Sequence, residues 1–147
     1  MIEELLTGRR GPGVYLWQAH RREAARELTE AERAGWRVFW LEGHGVRDKQ
    51  TFLDRCAEEF SLPSYFGHNW DALQDCLTDL SWVPATRGYV VVYDHWRDLA
   101  SSDPDAYRTV LEIFESAVAH WRDTPTPMAV LLLSDSENDR PPSDSVG

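Results

Sequence analysis

The sequence predicts an α/β fold built on a small, mainly parallel sheet of three to four strands packed with helices. Three observations predict it. Short apolar runs, GVYLW, WRVFWL, YVVVY and MAVLLL, are spaced along the chain, and runs of that length are strand-sized. Between them lie longer stretches with apolar residues at helical spacing. That alternation implies parallel strands joined by crossover helices. The length of 147 residues is that of one ordinary domain with a real core.

Residues 13–17 read as a short buried strand. Residues 18–34, rich in Ala, Glu and Arg, read as a helix that Gly35 stops, as glycine does just past a helix end. Residues 36–41 are aromatic and β-branched, hence a strand. Gly43 and Gly45 make a turn. Asp48 then caps a helix to about residue 60, with Phe52, Leu53, Cys56 and Phe60 on one face. Pro63 breaks the chain, and a second helix runs from about His68 to about Asp79. Residues 89–93 form a nearly continuous apolar strand, expected to be covered on both faces. Asp103-Pro104 opens a helix to about Trp121, with Val110, Leu111, Phe114 and Val118 on one side. Pro125 and Pro127 mark a loop before the last strand, 128–133. The expected order is β-α-β-α-α-β-α-β. With no internal repeat, residues 1–133 are expected to form one domain, with 1–35 an extra strand-helix unit. Residues 134–147 are expected to be a disordered acidic tail.

Charge narrows the function classes. The net charge is -10 and the pI about 4.8. Nucleic-acid binders need cations to displace phosphate counterions, so direct RNA or DNA binding is not expected. An acidic chain stays soluble and can also steer onto a basic partner. The excess is local. Before Gly35, Glu3, Glu4, Glu23, Glu27, Glu30 and Glu32 balance Arg9, Arg10, Arg21, Arg22, Arg26 and Arg33. Between Arg55 and Arg87 there is no Lys or Arg, while Glu58, Glu59, Asp71, Asp75 and Asp79 stand there. A one-signed stretch on helical elements points to a partner more strongly than net charge does.

Cys56 and Cys76 fit no disulfide or zinc spacing and fall in apolar helical patterns, as reduced core thiols do. MIEELLTGRR lacks the apolar stretch of a signal peptide, and the longest apolar run, 128–133, cannot span a bilayer. A cytoplasmic protein without membrane contact is expected.

His68, Asp71, Asp75 and Cys76 invite a thiol-enzyme reading, which the spacing opposes. Asp71 and Asp75 are four apart and share a helix face, which His68 joins near the helix start. Cys76 is rotated by roughly a hundred degrees from Asp75, onto the side of Leu73 and Leu77. No second histidine lies at a ligand spacing, and neither a phosphate loop nor a dinucleotide fingerprint is present. No catalytic residue, metal or cofactor is expected. Two acids at i and i+4 repel each other; with Tyr65, Phe66, Trp70 and Trp82 around them, they suggest a contact surface.

The segment 62–78, LPSYFGHNWDALQDCLT, resembles the core motif of the barstar family, intracellular inhibitors of secreted guanyl-specific ribonucleases. The matching residues are Leu62-Pro63, Tyr65, Gly67, Asn69, Asp71-Ala72-Leu73 and Asp75-Cys76-Leu77-Thr78, and the surrounding order fits from about Trp36 to Leu133. The resemblance implies a barstar-like fold and a basic microbial ribonuclease, barnase-like or otherwise guanyl-specific, as partner. The helix bearing Asp71 and Asp75, with the loop before it, would plug the enzyme's active site. The family aspartate that enters the phosphate site corresponds to Asp75, and the second acid to Asp71. Tyr65, Gly67, His68, Asn69, Ala72, Gln74 and Thr78 complete the expected contact surface. This chain departs from the family pattern at Gln74, where the family often has Trp, and at His68, where it usually has Glu. Ser116 stands where the best-known member has a contacting Glu. These departures remove charge and aromatic area, and leave an immunity or regulatory module for another basic toxin or protein as the alternative.

Overall fold

The computed structural model describes residues 1–63 and 66–135. The elements are α1 (Ile2–Leu6), β1 (Val14–Gln18), α2 (Arg21–Arg33), β2 (Trp36–Glu42), α3 (Lys49–Glu59), α4 (Trp70–Leu77), β3 (Gly88–Asp94), α5 (Trp96–Ser102), α6 (Pro104–Trp121) and β4 (Met128–Ser134). The four strands form one sheet in the order β1-β4-β3-β2, and every pairing is parallel. The α/β class and the parallel sheet are as expected.

Side chains alternate across a strand, and here the alternation sorts the core into two layers. Phe39 and Leu41 of β2, Tyr89, Val91 and Tyr93 of β3, and Met128, Val130 and Leu132 of β4 pack against α3, α4 and α6. Val90, Val92, Ala129, Leu131 and Leu133 point the other way, onto Trp17 of β1, Ala24, Leu28 and Ala31 of α2, and Ile2 and Leu5 of α1. The inner strands β3 and β4 are buried throughout, which explains their continuous apolar runs.

Three expectations are corrected. Residues 13–17 are not a buried strand: β1 lies at the sheet edge, Trp17 alone is buried in it, and Leu16 is exposed. Two short helices, α1 and α5, were not expected. Each spans two turns or less, too short for a 3.6-residue period to show against a random pattern. The second helix begins at Trp70, not near His68. His68 has φ +51°, a left-handed conformation incompatible with an α-helix, and Asn69 is the N-cap.

Local chemistry fixes the other ends. Gly35 follows α2 with φ +98°, and its carbonyl accepts the N–H groups of Thr86 and Arg87. Asp48 caps α3 as expected, its carboxylate accepting the Thr51 N–H at 2.8 Å; that bond holds its pKa below the ordinary value. Ser61 ends α3 in the left-handed region, with φ +51°. The Leu62 N–H donates to Ala57 O at 3.0 Å and the Ser61 N–H to Glu58 O at 3.3 Å, the paired bonds of a Schellman stop. Asp103 caps α6 through the Ala106 N–H, with Pro104 at the first helical position.

A buried ionic cluster ties the two layers together at the carboxyl ends of the strands. Asp94 is 3% exposed. Its carboxylate accepts Trp40 Nε1 at 2.8 Å, the Gly43 N–H at 2.8 Å and Arg21 of α2 at 2.5 Å. Burial alone would raise its pKa, but those donors and the guanidinium hold it below the usual value. A Cβ at position 43 would collide with the Asp94 carbonyl oxygen, so only glycine lets this loop close over the acid.

Candidate functional site

Residues 66–80 carry α4, which is braced by α3 and α6. Asn69 starts α4: its side-chain oxygen accepts the Ala72 N–H at 2.8 Å and its amide reaches back to Gly67 O at 3.4 Å. One bond caps the helix, and the other ties the incoming loop to the cap. Leu73, Cys76 and Leu77 form the buried face, with Trp70 half-buried against Phe52, ring centroids 6.2 Å apart. Beyond the helix, Leu80 turns into the left-handed region at φ +51° and its N–H donates to Cys76 O at 3.1 Å. Left-handed residues thus stand at Ser61, His68 and Leu80, and such conformations in non-glycine residues persist only where the surroundings hold them.

Asp71, Gln74 and Asp75 are exposed on the opposite face, the grouping that i, i+4 spacing requires. Among the described residues, no hydrogen bond or ion pair engages the carboxylate of Asp71 or Asp75. Asp71 lies in the first turn, where the helix dipole favours an anion. Asp75 lies in the last turn, which has no basic residue, where the dipole opposes it. An acid kept at the unfavourable end and left without a cation costs the free protein stability.

The mount for this face is well defined. Gln74 Nε2 donates to Ser116 Oγ of α6 at 3.1 Å, Trp121 Nε1 to Leu77 O at 2.8 Å, and Trp82 Nε1 to Phe60 O at 2.9 Å. Thr78 Oγ1 turns back onto Gln74 O and Asp75 O. Lys49 Nζ lies 5.4 Å from the centre of the Trp70 ring, a cation–π distance.

Of the expected contact residues, the structure gathers Gly67, Asn69, Asp71, Ala72, Gln74, Asp75 and Thr78 on α4 and its approach. Tyr65 lies outside the described residues. His68 does not join the Asp71–Asp75 helix face as expected: its left-handed backbone precedes the helix, and Nδ1 lies 3.1 Å from Asp54 of α3, with its ring against Phe66. Sequence reasoning missed Asp54, Lys49, Trp82 and Trp121 as supports. Each acts across a gap in the sequence, so no local signal marks it.

Cys76 sits in the core. Burial raises its thiol pKa, and the acids Asp75 and Asp79 raise it further, the reverse of what activates a nucleophile. Among the described residues, no group of three or more His, Cys, Asp or Glu side chains is placed to hold a metal ion, and no helix is long and apolar enough to cross a membrane.

Residues 36–133 match the family model described as "Barstar (barnase inhibitor)". The match begins at β2, so α1, β1 and α2 lie outside it. Among solved structures, the chain is similar to the Aeropyrum pernix ORC2 protein, determined in ADPNP-ADP complexes, with a TM-score of 0.58 and 16% identity. The alignment covers 92% of this chain and 38% of that one. Identity that low speaks to the α/β fold alone.

Proposed function

The chain belongs to the barstar family, and from that premise we propose that it inhibits a basic, secreted, guanyl-specific ribonuclease by laying α4 and the preceding loop over the enzyme's active site. The observation that carries this reading is the pair of exposed carboxylates of Asp71 and Asp75, without a partner among the described residues, on a helix braced by α6.

The chemistry follows from the enzyme side. A ribonuclease cleft presents cationic groups to bind phosphate. A carboxylate held there replaces the phosphate and accepts charge-assisted hydrogen bonds, shorter and stronger than neutral ones. Asp75 is assigned the phosphate position and Asp71 the adjacent contact. Gly67, Asn69, Ala72 and Thr78 supply the close surface around them, with His68 and Tyr65 on the approach. Residues 56–86 contain no Lys or Arg, so the charges this segment itself carries are acidic, which speeds encounter with a cationic cleft.

The test is a titration of RNA cleavage by a secreted microbial guanyl-specific ribonuclease, with wild type and with Asp75→Ala. Stoichiometric inhibition by wild type, lost in the variant, is expected. Full inhibition by the variant would remove Asp75 from its assigned role.

The Gln74–Ser116 hydrogen bond favours a second reading. It places a neutral, internally satisfied pair where the family's charge and aromatic area would stand, which suits a different basic toxin as target. Retrieval of a basic non-ribonuclease partner by the immobilised full chain, with no inhibition of guanyl-specific enzymes, would select that reading.

A further inference from the structure

We propose that the β1 edge of the sheet is a self-association surface, where two copies of this chain pair antiparallel about Leu16. The strand lies at one end of the order β1-β4-β3-β2 and so pairs on one side only. Its odd-numbered neighbours face β4: Gly13 O accepts the Val130 N–H at 2.9 Å, and the Ala19 N–H donates to Ser134 O at 3.1 Å. The period of two along a strand turns the N–H and C=O groups of Val14, Leu16 and Gln18 outward. Among the described residues, none of these groups has a hydrogen-bond partner. Such an edge is a template for another strand.

The two edges of this sheet are treated differently. On β2, the Glu59 carboxylate accepts the Trp40 N–H at 3.1 Å, occupying an outward amide, and Arg37 and Glu42 add charge. These are devices that stop edge pairing. Segment 14–18, VYLWQ, has no charge and no proline, and its register against β4 runs without a bulge. Leu16, 53% exposed, is the large hydrophobic side chain left open to solvent among the described residues.

A second copy is the occupant the segment fits. With Leu16 opposite Leu16 of the second copy, Tyr15 meets Trp17 and Val14 meets Gln18. Leu16 meets its own equivalent as a hydrogen-bonded pair, because its backbone groups are the outward ones. Each residue contacts its reciprocal, as a two-fold interface requires. Charge permits the approach. The residues before Gly35 carry equal acids and bases, and α6, which also packs beside β1, sets Arg108 against Asp105, Glu112 and Glu115, so most of the chain's -10 lies elsewhere. Two copies therefore meet here with little of the repulsion that the acid-bearing α4 surface would impose.

Sedimentation equilibrium of the full chain is expected to show a concentration-dependent species of twice the 16.9 kDa monomer mass. Leu16→Lys sets like charges opposite each other and should return the protein to a monomer with an unchanged circular-dichroism spectrum. The register has its own test. A hydrogen-bonded antiparallel pair brings Cα atoms to about 5.5 Å, within disulfide reach, so oxidised Leu16→Cys should link into covalent dimers while Gln18→Cys does not. Cys56 and Cys76, being buried, should give the wild type no such product. A wild type that stays monomeric at high micromolar concentration, a dimer that survives Leu16→Lys, or equal cross-linking at positions 16 and 18 would overturn the proposal.

Discussion

The α1–α2 unit and the exposed face of α4 handle charge in opposite ways. On the α1–α2 side, arginines are answered by acids: Arg10 by Glu4 at 2.7 Å, Arg33 by Glu30 at 2.9 Å, and Arg21 by Asp94 and Glu42. On the α4 side, Asp71 and Asp75 are answered by nothing within the described residues. Paired charges on a surface contribute little and settle local geometry. Unpaired acids sharing a helix face, one of them at the unfavourable end of the dipole, weaken the free molecule. The first arrangement serves the monomer's own stability, and the second is the one the proposed contact with a basic partner calls for.

Substitutions on either side can break or sharpen that contrast. The largest effect is expected from Asp75→Ala in the inhibition titration. Removing one partner of a desolvated, hydrogen-bonded charge pair costs about 2–5 kcal/mol, roughly 30- to 5,000-fold in inhibition constant, while the melting temperature of the free protein does not fall. A fall in melting temperature with inhibition intact would assign Asp75 to the monomer's own stability instead.

Asp94→Ala should do the reverse. It strands the buried donors of Trp40 and Gly43 and leaves Arg21 without its partner, for a loss of about 2–4 kcal/mol in chemical denaturation. Inhibition should persist under native conditions. The pH dependence follows from the same residue. The folded Asp94 carboxyl has a lowered pKa, so the folded protein binds this proton less tightly than the unfolded chain does. Its contribution is present at neutral pH and is lost as the pH falls through the carboxylate range. Asp94→Asn should flatten that acid limb. Glu59 has the opposite sign: burial raises its pKa despite the Trp40 N–H, so protonation favours the folded state. Glu59→Gln should therefore narrow the stability difference between mildly acidic and neutral pH, as read from denaturation curves at each.

Smaller effects sharpen the comparison further. Raising the salt concentration should slow association in stopped-flow mixing, because exposed charges are screened beyond about 10 Å at 0.1 M. Melting of the free protein should change little. The smallest effect is expected from Asp75→Asn, which removes the charge opposed by the helix dipole and should stabilise the free protein by about 0.3–1 kcal/mol, measured by thermal unfolding.

What the residues reveal in one dimension follows the range of the interaction. The exposed Asp71–Asp75 face and the buried Cys76 were legible because both follow from helical spacing over a few residues. The inner strands were legible because burial on both faces writes a continuous apolar run. The edge position of β1 was not: VYLWQ is as apolar as an inner strand, and its place depends on which strand pairs with it. The Asp94 cluster was hidden for the same reason, since Arg21, Trp40, Gly43 and Asp94 come from distant parts of the chain. His68 misled because its residue type suits a helix start, while its backbone is held left-handed between Phe66 and Asp54.

The strand order has a consequence for how the molecule is made. Segment 14–18 is synthesised well before its partner in the sheet, 128–134. The pairing has no local substitute, and closing so long a loop is slow. During translation, β1 and its Trp17 must wait for β4, whereas Ala24, Leu28 and Ala31 of α2 can already pack on α1 and β2. Nascent chains stalled before residue 128 should therefore be bound by chaperones and cut readily by protease, and release of the last strand should end both together.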